Sequence, residues 1–301
     1  MTNRTCCPSP WVLATLALTL LAAPGSAAAP AAAPALSMPS PPRITGVVVR
    51  VVDLERALQF YREVGGFETV QVERTPGGTA GSARLVNGEV GLLLLAVKTP
   101  ARHELPGPSE AHLNLQVDNL DATLADLARR GVPRLADKPL VAAIGPNMPI
   151  ADPSGNLLYV IQLNSRKERL PRPRVLNYGI TVPAMAEARK FYEGLLGFRV
   201  YSEAFYPPAI PYLPAGVLQV VLHESATKAV PAPPPDTAQM NLVMEVDDLG
   251  AACRDLASRG ATVRAAEDGG ALGRHAELLD PFGNVHLIVE RSARTASREP
   301  R

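Results

Sequence analysis

The order of hydrophobic and polar positions predicts a strand, then a helix, then three strands at the start of the folded part. The β-branched run at residues 44–52 is typical of a buried strand. Asp53 follows as a good helix N-cap, and Leu54, Leu58 and Tyr61 recur on one helical face. Short apolar segments between Gly-rich turns predict strands at residues 68–73, 83–86 and 90–97. Together these elements form a βαβββ unit.

The same pattern returns along the chain and indicates internal duplication. A predicted strand at residues 112–117, a helix at 120–130 and a closing strand at 157–162 form a second unit. Units three and four occupy about residues 175–225 and 238–291.

Short sequence motifs recur with nearly constant spacing and support this duplication. Asp-Pro-Ser-Gly-Asn at residues 152–156 returns as Asp-Pro-Phe-Gly-Asn at 280–284, and Phe60-Tyr61 returns as Phe191-Tyr192. The Asp-Pro-x-Gly-Asn sequence also suits a type I turn before a strand. We therefore predict an α+β fold in which four βαβββ units pair, in chain order, into two domains.

The segments between and around the units set the expected boundaries. Pro-rich insertions at residues 206–214 and 230–235 are candidate loops at the rim of a pocket. The predicted organisation is a signal peptide at 1–28, an Ala/Pro-rich leader at 29–42, a first domain at 43–163, a linker at 164–174, a second domain at 175–291 and a polar tail at 292–301.

The N-terminus has the composition of an export signal. Arg4 supplies a positive charge, residues 11–23 form an apolar run too short to span a bilayer, and small residues follow at 25–29. A retained anchor is the alternative, although no stop-transfer pattern follows. We expect a periplasmic or secreted protein with no membrane association after cleavage. Cys253 is then the sole cysteine of the mature chain, and its helical spacing with Leu249 and Leu256 predicts core packing.

The overall charge excludes some classes of partner. The formal net charge is +1 and aromatic residues make up 5% of the chain, so neither an electrostatic footprint nor a base-stacking surface for nucleic acid is expected. Nor is there a Gly-rich phosphate loop, a nucleophile elbow or an H-E-x-x-H sequence.

The repeated units resemble the vicinal oxygen chelate superfamily, which includes glyoxalase I, bleomycin-resistance proteins, fosfomycin-resistance enzymes and extradiol dioxygenases. The resemblance covers about residues 44–291 and rests on the strand–helix opening, the Phe-Tyr and Gly-Phe pairs and the Asp-Pro-x-Gly-Asn turns. It implies that paired units form a U-shaped, incomplete barrel around a pocket. It also implies one divalent metal held by His and Glu residues on the first and last strands of the units.

The positions implied for those ligands hold few suitable side chains. The expected His is present as His112, whereas the expected Glu is replaced by Tyr159 and by Leu287. The remaining expected His positions hold Gly46, Asn177 and Asn241. Because a lone imidazole without a carboxylate makes a poor site for Zn²⁺, Fe²⁺ or Mn²⁺, we predict no metal cofactor and treat a divalent metal with atypical ligands as the less favoured alternative.

Strand alternation places a set of polar residues on the pocket side of the strands. We predict that His112 acts as a general acid or base, that Tyr159 donates a hydrogen bond, and that Arg50 binds a carboxylate or phosphate. These three are expected to converge in the first domain. The other predicted ligand-binding residues are Asn114, Gln116, Asn177 and Asn241.

Three functions remain open at this point. The favoured one is an exported protein, monomer or homodimer, that binds a small organic molecule, with an anionic one suited to Arg50. The second is a metal-dependent lyase or extradiol-dioxygenase-type enzyme with atypical ligands. The third is a non-catalytic structural or interaction protein that keeps the fold.

Overall fold

The structure is a computed structural model and describes most of the region in which the repeats lie. The described residues are 42–75, 80–100, 111–142, 144–165, 169–200, 209–213, 216–224, 239–267 and 270–291. The predicted signal peptide, most of the leader, the polar tail and the Pro-rich insertion at residues 230–235 lie outside them. Of the insertion at 206–214, the described residues 209–213 form a strand, so the prediction of a loop is wrong for this part. None of the helices within these ranges is long and apolar enough to cross a membrane.

Units 1 and 2 have the predicted order of elements. Unit 1 consists of β1 (Arg43–Val51), α1 (Leu54–Glu63), β2 (Glu68–Arg74), β3 (Ala80–Asn87) and β4 (Val90–Ala96). Unit 2 consists of β5 (Ala111–Val117), α2 (Leu120–Arg129), β6 (Leu140–Ala142), β7 (Gly145–Ala151) and β8 (Leu157–Gln162).

Units 3 and 4 repeat that order with local changes. Unit 3 consists of β9 (Arg174–Val182), α3 (Met185–Arg189), a π-helical segment (Lys190–Leu195), β10 (Arg199–Val200), β11 (Ala209–Leu213) and β12 (Val220–Glu224). Unit 4 consists of β13 (Met240–Val246), α4 (Leu249–Ser258), β14 (Thr262–Glu267), a 3₁₀ segment (Gly270–Leu272), β15 (His275–Leu279) and β16 (Val285–Glu290).

The starts of the helices follow from local chemistry. Asp53, Asn119 and Asp248 each accept a hydrogen bond from a backbone N–H in the first turn of the helix that follows. The N-cap of α3 is Ala184, which has no such side-chain oxygen. There the Met185 N–H donates instead to Glu224 Oε1 at 2.9 Å, so a residue from β12 satisfies this helix end.

The strands form two sheets of eight, and the units pair differently from the chain-order prediction. The first sheet has the order β14-β15-β16-β13-β1-β4-β3-β2 and therefore joins units 1 and 4. The second sheet has the order β10-β11-β12-β9-β5-β8-β7-β6 and joins units 2 and 3. The α+β class and the pairing of four βαβββ units are confirmed. The expectation that consecutive units share one pocket is wrong.

Each sheet is centred on an antiparallel pair of first strands. In the first sheet Val48 lies opposite Asn241, and in the second Asn114 lies opposite Asn177. Gly46 is required where β1 passes β4, because a Cβ atom there would lie 2.2 Å from the carbonyl oxygen of Gly91.

The first sheet is strongly curled. Arg84 of β3 donates a hydrogen bond to the carbonyl of Ala271, which precedes β15. In a flat sheet, five strand spacings would separate β3 from β15 by about 24 Å, which is beyond the reach of an arginine side chain. The contact therefore requires the sheet to bend back on itself, as in the predicted incomplete barrel.

Consecutive units are joined on the helix-covered faces of the sheets. Tyr61 of α1 donates to Asp152 Oδ2 at 3.0 Å, and Tyr192 donates to Asp280 Oδ2 at 2.9 Å. Burial, followed by the nearby Asp152 charge, raises the pKa of Tyr61 well above its ordinary value, so it remains a donor. The repeated Phe-Tyr and Asp-Pro-x-Gly-Asn sequences thus link unit 1 to unit 2 and unit 3 to unit 4.

Candidate functional site

The concave face of the first sheet is filled by the protein's own side chains. Val48, Leu93 and Leu287 form a buried apolar cluster on this face. Partly buried hydrophobic residues pack against the cluster, namely Leu95, Val243, Ala271 and Leu272. Ala271 and Leu272 belong to the 3₁₀ segment before β15, so this segment also packs against the cluster. We call this face the first-sheet cavity.

A charged network crosses the first-sheet cavity. Arg50 of β1 contacts Glu277 of β15 at 2.9 Å (Nη2 to Oε1), and Arg264 of β14 contacts the other carboxylate oxygen at 2.9 Å. Burial alone would raise the pKa of Glu277, but the hydrogen bonds from the two guanidinium groups hold it below its ordinary value. The Arg50 side chain is only 8% exposed, and its guanidinium is directed at Glu277. Arg50 therefore links β1 to β15 across this face.

The concave face of the second sheet presents polar and aromatic groups, and we call it the second-sheet pocket. On β5, Leu113, Leu115 and Val117 pack into the core, so His112, Asn114 and Gln116 face the opposite side. Tyr159 on β8, Asn177 and Gly179 on β9, and His223 on β12 share that side by the same alternation. The pocket is thus built from both units of this sheet.

The missing side chain of Gly179 makes room for His112. A Cβ atom at position 179 would lie 1.9 Å from His112 Nε2, so the imidazole rests directly on the β9 backbone. His112 is 4% exposed. This close approach holds the His112 ring over β9, the strand that lies between β5 and β12.

Three rings lie together in the second-sheet pocket. The His112 ring is 4.9 Å from the Tyr159 ring and 5.6 Å from the His223 ring, centroid to centroid. Burial lowers the pKa of His223 to about 4, so its imidazole is neutral at physiological pH. Two imidazoles and a phenol are groups that can donate and accept hydrogen bonds.

Amide side chains surround these rings. Asn114 donates to Asn177 Oδ1 at 2.6 Å, across the central strand pair. Arg174 donates to Gln116 Oε1 at 2.7 Å, whereas Gln116 Nε2 is buried and has no hydrogen-bond partner within the described part of the chain. A buried donor without a partner is unfavourable by about 1–3 kcal/mol, which favours an acceptor-bearing molecule or water beside it.

The predicted site residues are therefore divided between the sheets. His112, Tyr159, Asn114, Gln116 and Asn177 lie in the second-sheet pocket. Arg50 and Asn241 belong to the first sheet.

The convergence of Arg50 with His112 and Tyr159 is not observed, because unit 1 forms its sheet with unit 4 and not with unit 2. Asn241 donates to Gln239 Oε1 and to the carbonyl of Val285.

Two residues of these faces were not predicted from the sequence. His223 follows Val221 on one face of an apolar strand, and that alternation could have placed it in the pocket once β12 was known to lie near β5. Glu277 alternates with Ala276 and Leu278, which could have placed it inward. No local signal identifies Arg50 as its partner, because 227 positions separate the two residues.

The register identifies the side chains at the ligand positions that the resemblance implies, and at the corresponding positions of β4 and β12, which hold Leu93 and Val221. In the first sheet these positions hold Gly46, Leu93, Asn241 and Leu287. In the second sheet they hold His112, Tyr159, Asn177 and Val221. Among the described side chains, no three from His, Cys, Asp and Glu are grouped so that they could hold a metal ion.

Sequence comparison identifies the family. The profile of the Glyoxalase/Bleomycin resistance protein/Dioxygenase superfamily matches residues 43–160 and 174–286. The chain belongs to this superfamily. No curated protein matches the sequence.

Solved structures with the same fold include members of this superfamily. Glyoxalase I from Zea mays is 17% identical, with a TM-score of 0.58, covering 83% of this chain and 92% of that one. A putative dioxygenase from Bacillus subtilis subsp. subtilis str. 168 is 14% identical, with a TM-score of 0.57, covering 83% of this chain and 86% of that one. At such identities the similarity shows the shared fold alone.

Proposed function

We propose that this protein binds a small organic molecule in the second-sheet pocket and does so without the family's divalent metal. The observation that supports this is the difference between the two concave faces. The first is occupied by an apolar cluster and by the Arg50–Glu277 pair. The second brings His112, Tyr159 and His223 together beside amide groups, and small-molecule sites are typically concave surfaces with a few convergent polar groups.

The donors available do not fit a divalent metal of the usual kind. Beside His112, the equivalent positions of the second sheet offer a phenol, a neutral amide and an aliphatic side chain. Neutral amides and aliphatic groups do not replace the carboxylate and imidazole ligands that Zn²⁺, Fe²⁺ and Mn²⁺ require. We infer that recognition relies on hydrogen bonds and ring contacts from the protein.

The roles of the pocket residues follow from their chemistry. His112 can accept or donate a proton at an imidazole nitrogen, and the Tyr159 hydroxyl can donate a hydrogen bond; their ring centroids lie 4.9 Å apart. The Asn114–Asn177 pair holds the two central strands in register beside them. These groups can orient a ligand and move a proton.

A ligand screen with matched variants tests this proposal. Small organic molecules that raise the melting temperature of the wild-type protein should no longer do so in His112→Ala, because the ring that contacts Tyr159 is lost. Asn241→Ala, at the pseudo-equivalent of Asn177 in the first sheet, should retain binding. Ligands whose binding survives His112→Ala and is lost in Asn241→Ala would place the site in the first sheet and contradict the proposal.

Export is proposed on the N-terminal sequence alone. Arg4, the apolar run at residues 11–23 and the small residues after it have the pattern of a cleaved signal peptide. The mature chain should begin between about residues 27 and 32. N-terminal sequencing of protein from the periplasm or medium checks this, and an intact Met1 would contradict it.

A further inference from the structure

A groove of about 520 Å³ lies where unit 3 meets unit 4, and we call it the unit 3–4 groove. Unit 3 contributes α3 and the π-helical segment, and unit 4 contributes the end of α4, the start of β14 and the turn after β15. None of the described residues that line it belongs to the second-sheet pocket or to the first-sheet cavity. Its volume falls within the roughly 300–1,000 Å³ that is typical of small-molecule sites.

The matching place between units 1 and 2 holds a carboxylate. Glu63, the last residue of α1, contacts the guanidinium of Arg130 at the C-cap of α2. Gln59, one turn earlier in α1, donates a hydrogen bond to the other oxygen of Glu63 at 3.1 Å. Two donors, one from each unit, therefore hold the Glu63 carboxylate at this junction.

Unit 3 lacks that carboxylate. Tyr61 and Tyr192 are equivalent, since each donates to the aspartate of the repeated turn in the following unit. Glu63 lies two residues after Tyr61, and Gly194 lies two residues after Tyr192. Gly194 lines the unit 3–4 groove, and a Cβ atom added there would meet nothing within 4 Å among the described residues outside its own helix and chain neighbours. The space that leads to the carboxylate in one copy is therefore open in the other.

The guanidinium is kept in both copies. Arg130 pairs with Asp126 at 2.6 Å, and Arg259, at the C-cap of α4, pairs in the same way with Asp255 at 2.7 Å. Because Arg130 binds Glu63 as well as Asp126, an arginine in this place can hold one carboxylate of its own helix and a second from outside it. The Arg259 side chain is 12% exposed and that of Arg130 is 37% exposed, and lower exposure to water strengthens attraction between charges.

The second donor gains a charge in unit 3. Lys190 lies two residues before Tyr192, as Gln59 lies two residues before Tyr61, and it lines the unit 3–4 groove. An ammonium binds a carboxylate more strongly than a neutral amide does, because the hydrogen bond is charge-assisted. Unit 3 has thus lost the carboxylate of this junction and strengthened one of the donors that would hold it.

The rest of the groove is largely apolar. Asp280 also lines it, but its oxygens accept hydrogen bonds from Tyr192 and from the turn that it begins. Glu187 lies at the exposed rim, where solvent and salt screen its charge. The apolar lining residues are Phe191, Leu195, Ala261, Leu279 and Pro281.

We propose that the unit 3–4 groove binds a small organic carboxylate. The carboxylate group lies between Arg259 and Lys190, in the place that Glu63 takes in the other copy, and the apolar part of the ligand packs against Phe191 and Leu195. Binding is reversible, and no covalent bond forms or breaks. The ligand joins unit 3 to unit 4 as Glu63 joins unit 1 to unit 2. This site is separate from the one under the proposed function and does not depend on it.

Benzoate and benzamide test the proposal, because they have nearly the same shape and differ in charge. Calorimetric titration of the mature protein in low salt, with up to about 10 mM ligand, should show saturable benzoate binding at least about tenfold tighter than benzamide binding. Added salt should weaken the binding of benzoate and leave that of benzamide nearly unchanged.

A carboxylate restored at position 194 is the most specific variant, because it removes no contact. Gly194→Glu should occupy the donors as Glu63 does and abolish benzoate binding. Gly194→Ala adds a methyl group without a charge, and it should bind benzoate as wild type does. Gly194→Glu should also melt at a higher temperature than the neutral Gly194→Gln, by a margin that decreases as salt is added.

The duplicated arginine provides a second matched pair of variants. Arg259→Gln should weaken benzoate binding by about tenfold or more, the effect of losing a charge-assisted hydrogen bond. Arg130→Gln makes the same change in the other copy and should leave benzoate binding unchanged. The melting temperatures show that each variant is folded.

The outcomes distinguish this inference from the proposed function. Benzoate binding that is no tighter than benzamide binding, or that is equal in Gly194→Glu and Gly194→Ala, overturns the inference. So does the absence of benzoate binding at about 10 mM. Benzoate binding that survives Gly194→Glu and is lost in His112→Ala would place the ligand in the second-sheet pocket, which overturns the inference and supports the proposed function.

Discussion

Burial determines the pKa values of two histidines, His223 and His286. His223 faces the second-sheet pocket, whereas His286 lies in the core, where its Nε2 is 2.9 Å from the hydroxyl of Tyr192. Burial lowers the pKa of His286 to about 4, an effect that the charge of Asp280 only partly offsets. The pseudo-equivalent residue in unit 2 is Leu158, which belongs to the same buried core as Tyr61, the hydrogen-bond partner of Asp152. One core position thus carries a titratable group in one copy and an aliphatic group in the other.

This difference predicts an acid-sensitive contribution to stability. The folded-state pKa of His286 is about 4 and the unfolded value about 6.5, so the unfolded chain binds the extra proton between these pH values. Stability is therefore fully present above about pH 6.5 and decreases as pH falls toward 4, by about 2 kcal/mol between about pH 8 and pH 5.

Urea denaturation of His286→Leu as a function of pH checks this prediction. The variant should lose this part of the pH dependence. Because it also loses the hydrogen bond to Tyr192, we expect it to be less stable than wild type at pH 8. His275→Leu is the control, because His275 is partly exposed and its loss should leave the slope unchanged. An unaltered slope in His286→Leu would contradict the prediction.

At the scale of elements, the repeated sequences have a visible physical role. In the turn after β7, Asp152 Oδ1 accepts hydrogen bonds from the N–H groups of Ser154 and Asn156, and Asp280 Oδ1 does the same for Phe282 and Asn284. The other carboxylate oxygen of each Asp accepts from a tyrosine of the preceding unit. Each turn thus orders its own backbone and also joins two units.

The same strand alternation yields different interiors in the two sheets. Arg50 is directed at Glu277 because the first sheet curls until β1 and β15 approach each other. Val48, Leu93 and Leu287 fill the remaining space. In the second sheet the corresponding face keeps rings and amides. Duplication of the unit therefore did not preserve one chemistry in both pockets.

At the scale of the whole molecule, the ligand positions of both sheets predict the metal content. Purified mature protein should carry well under one Zn, Fe, Mn or Ni per chain after dialysis without chelator, because His112 is the only imidazole or carboxylate at those positions. Elemental analysis of wild type and His112→Ala should give the same low content. About one metal per wild-type chain, removed by a chelator together with thermal stability, would contradict this and favour the metal-dependent enzyme.

The elements and the fold class were predictable because their signals are local. Asp53 and Asn119 cap helices through the backbone N–H three positions ahead, and strand alternation assigns each side chain to a face within a few residues. The duplication then limits the fold to paired βαβββ units. The structure has His112, Tyr159 and Asn177 on the side of the second sheet opposite the core, as that alternation predicts. Their function remains a proposal.

The pairing of the units was decided only by the tertiary structure. The first strands of all four units have similar apolar patterns, so the sequence does not distinguish a sheet of units 1 and 2 from a sheet of units 1 and 4. That choice separated Arg50 from His112 and brought Glu277 to Arg50 and His223 to His112. The sequence by itself determined the units and the faces of their strands, because those depend on neighbours along the chain. Only the folded chain determined which faces enclose a common space, because that depends on contacts between residues as many as 227 positions apart.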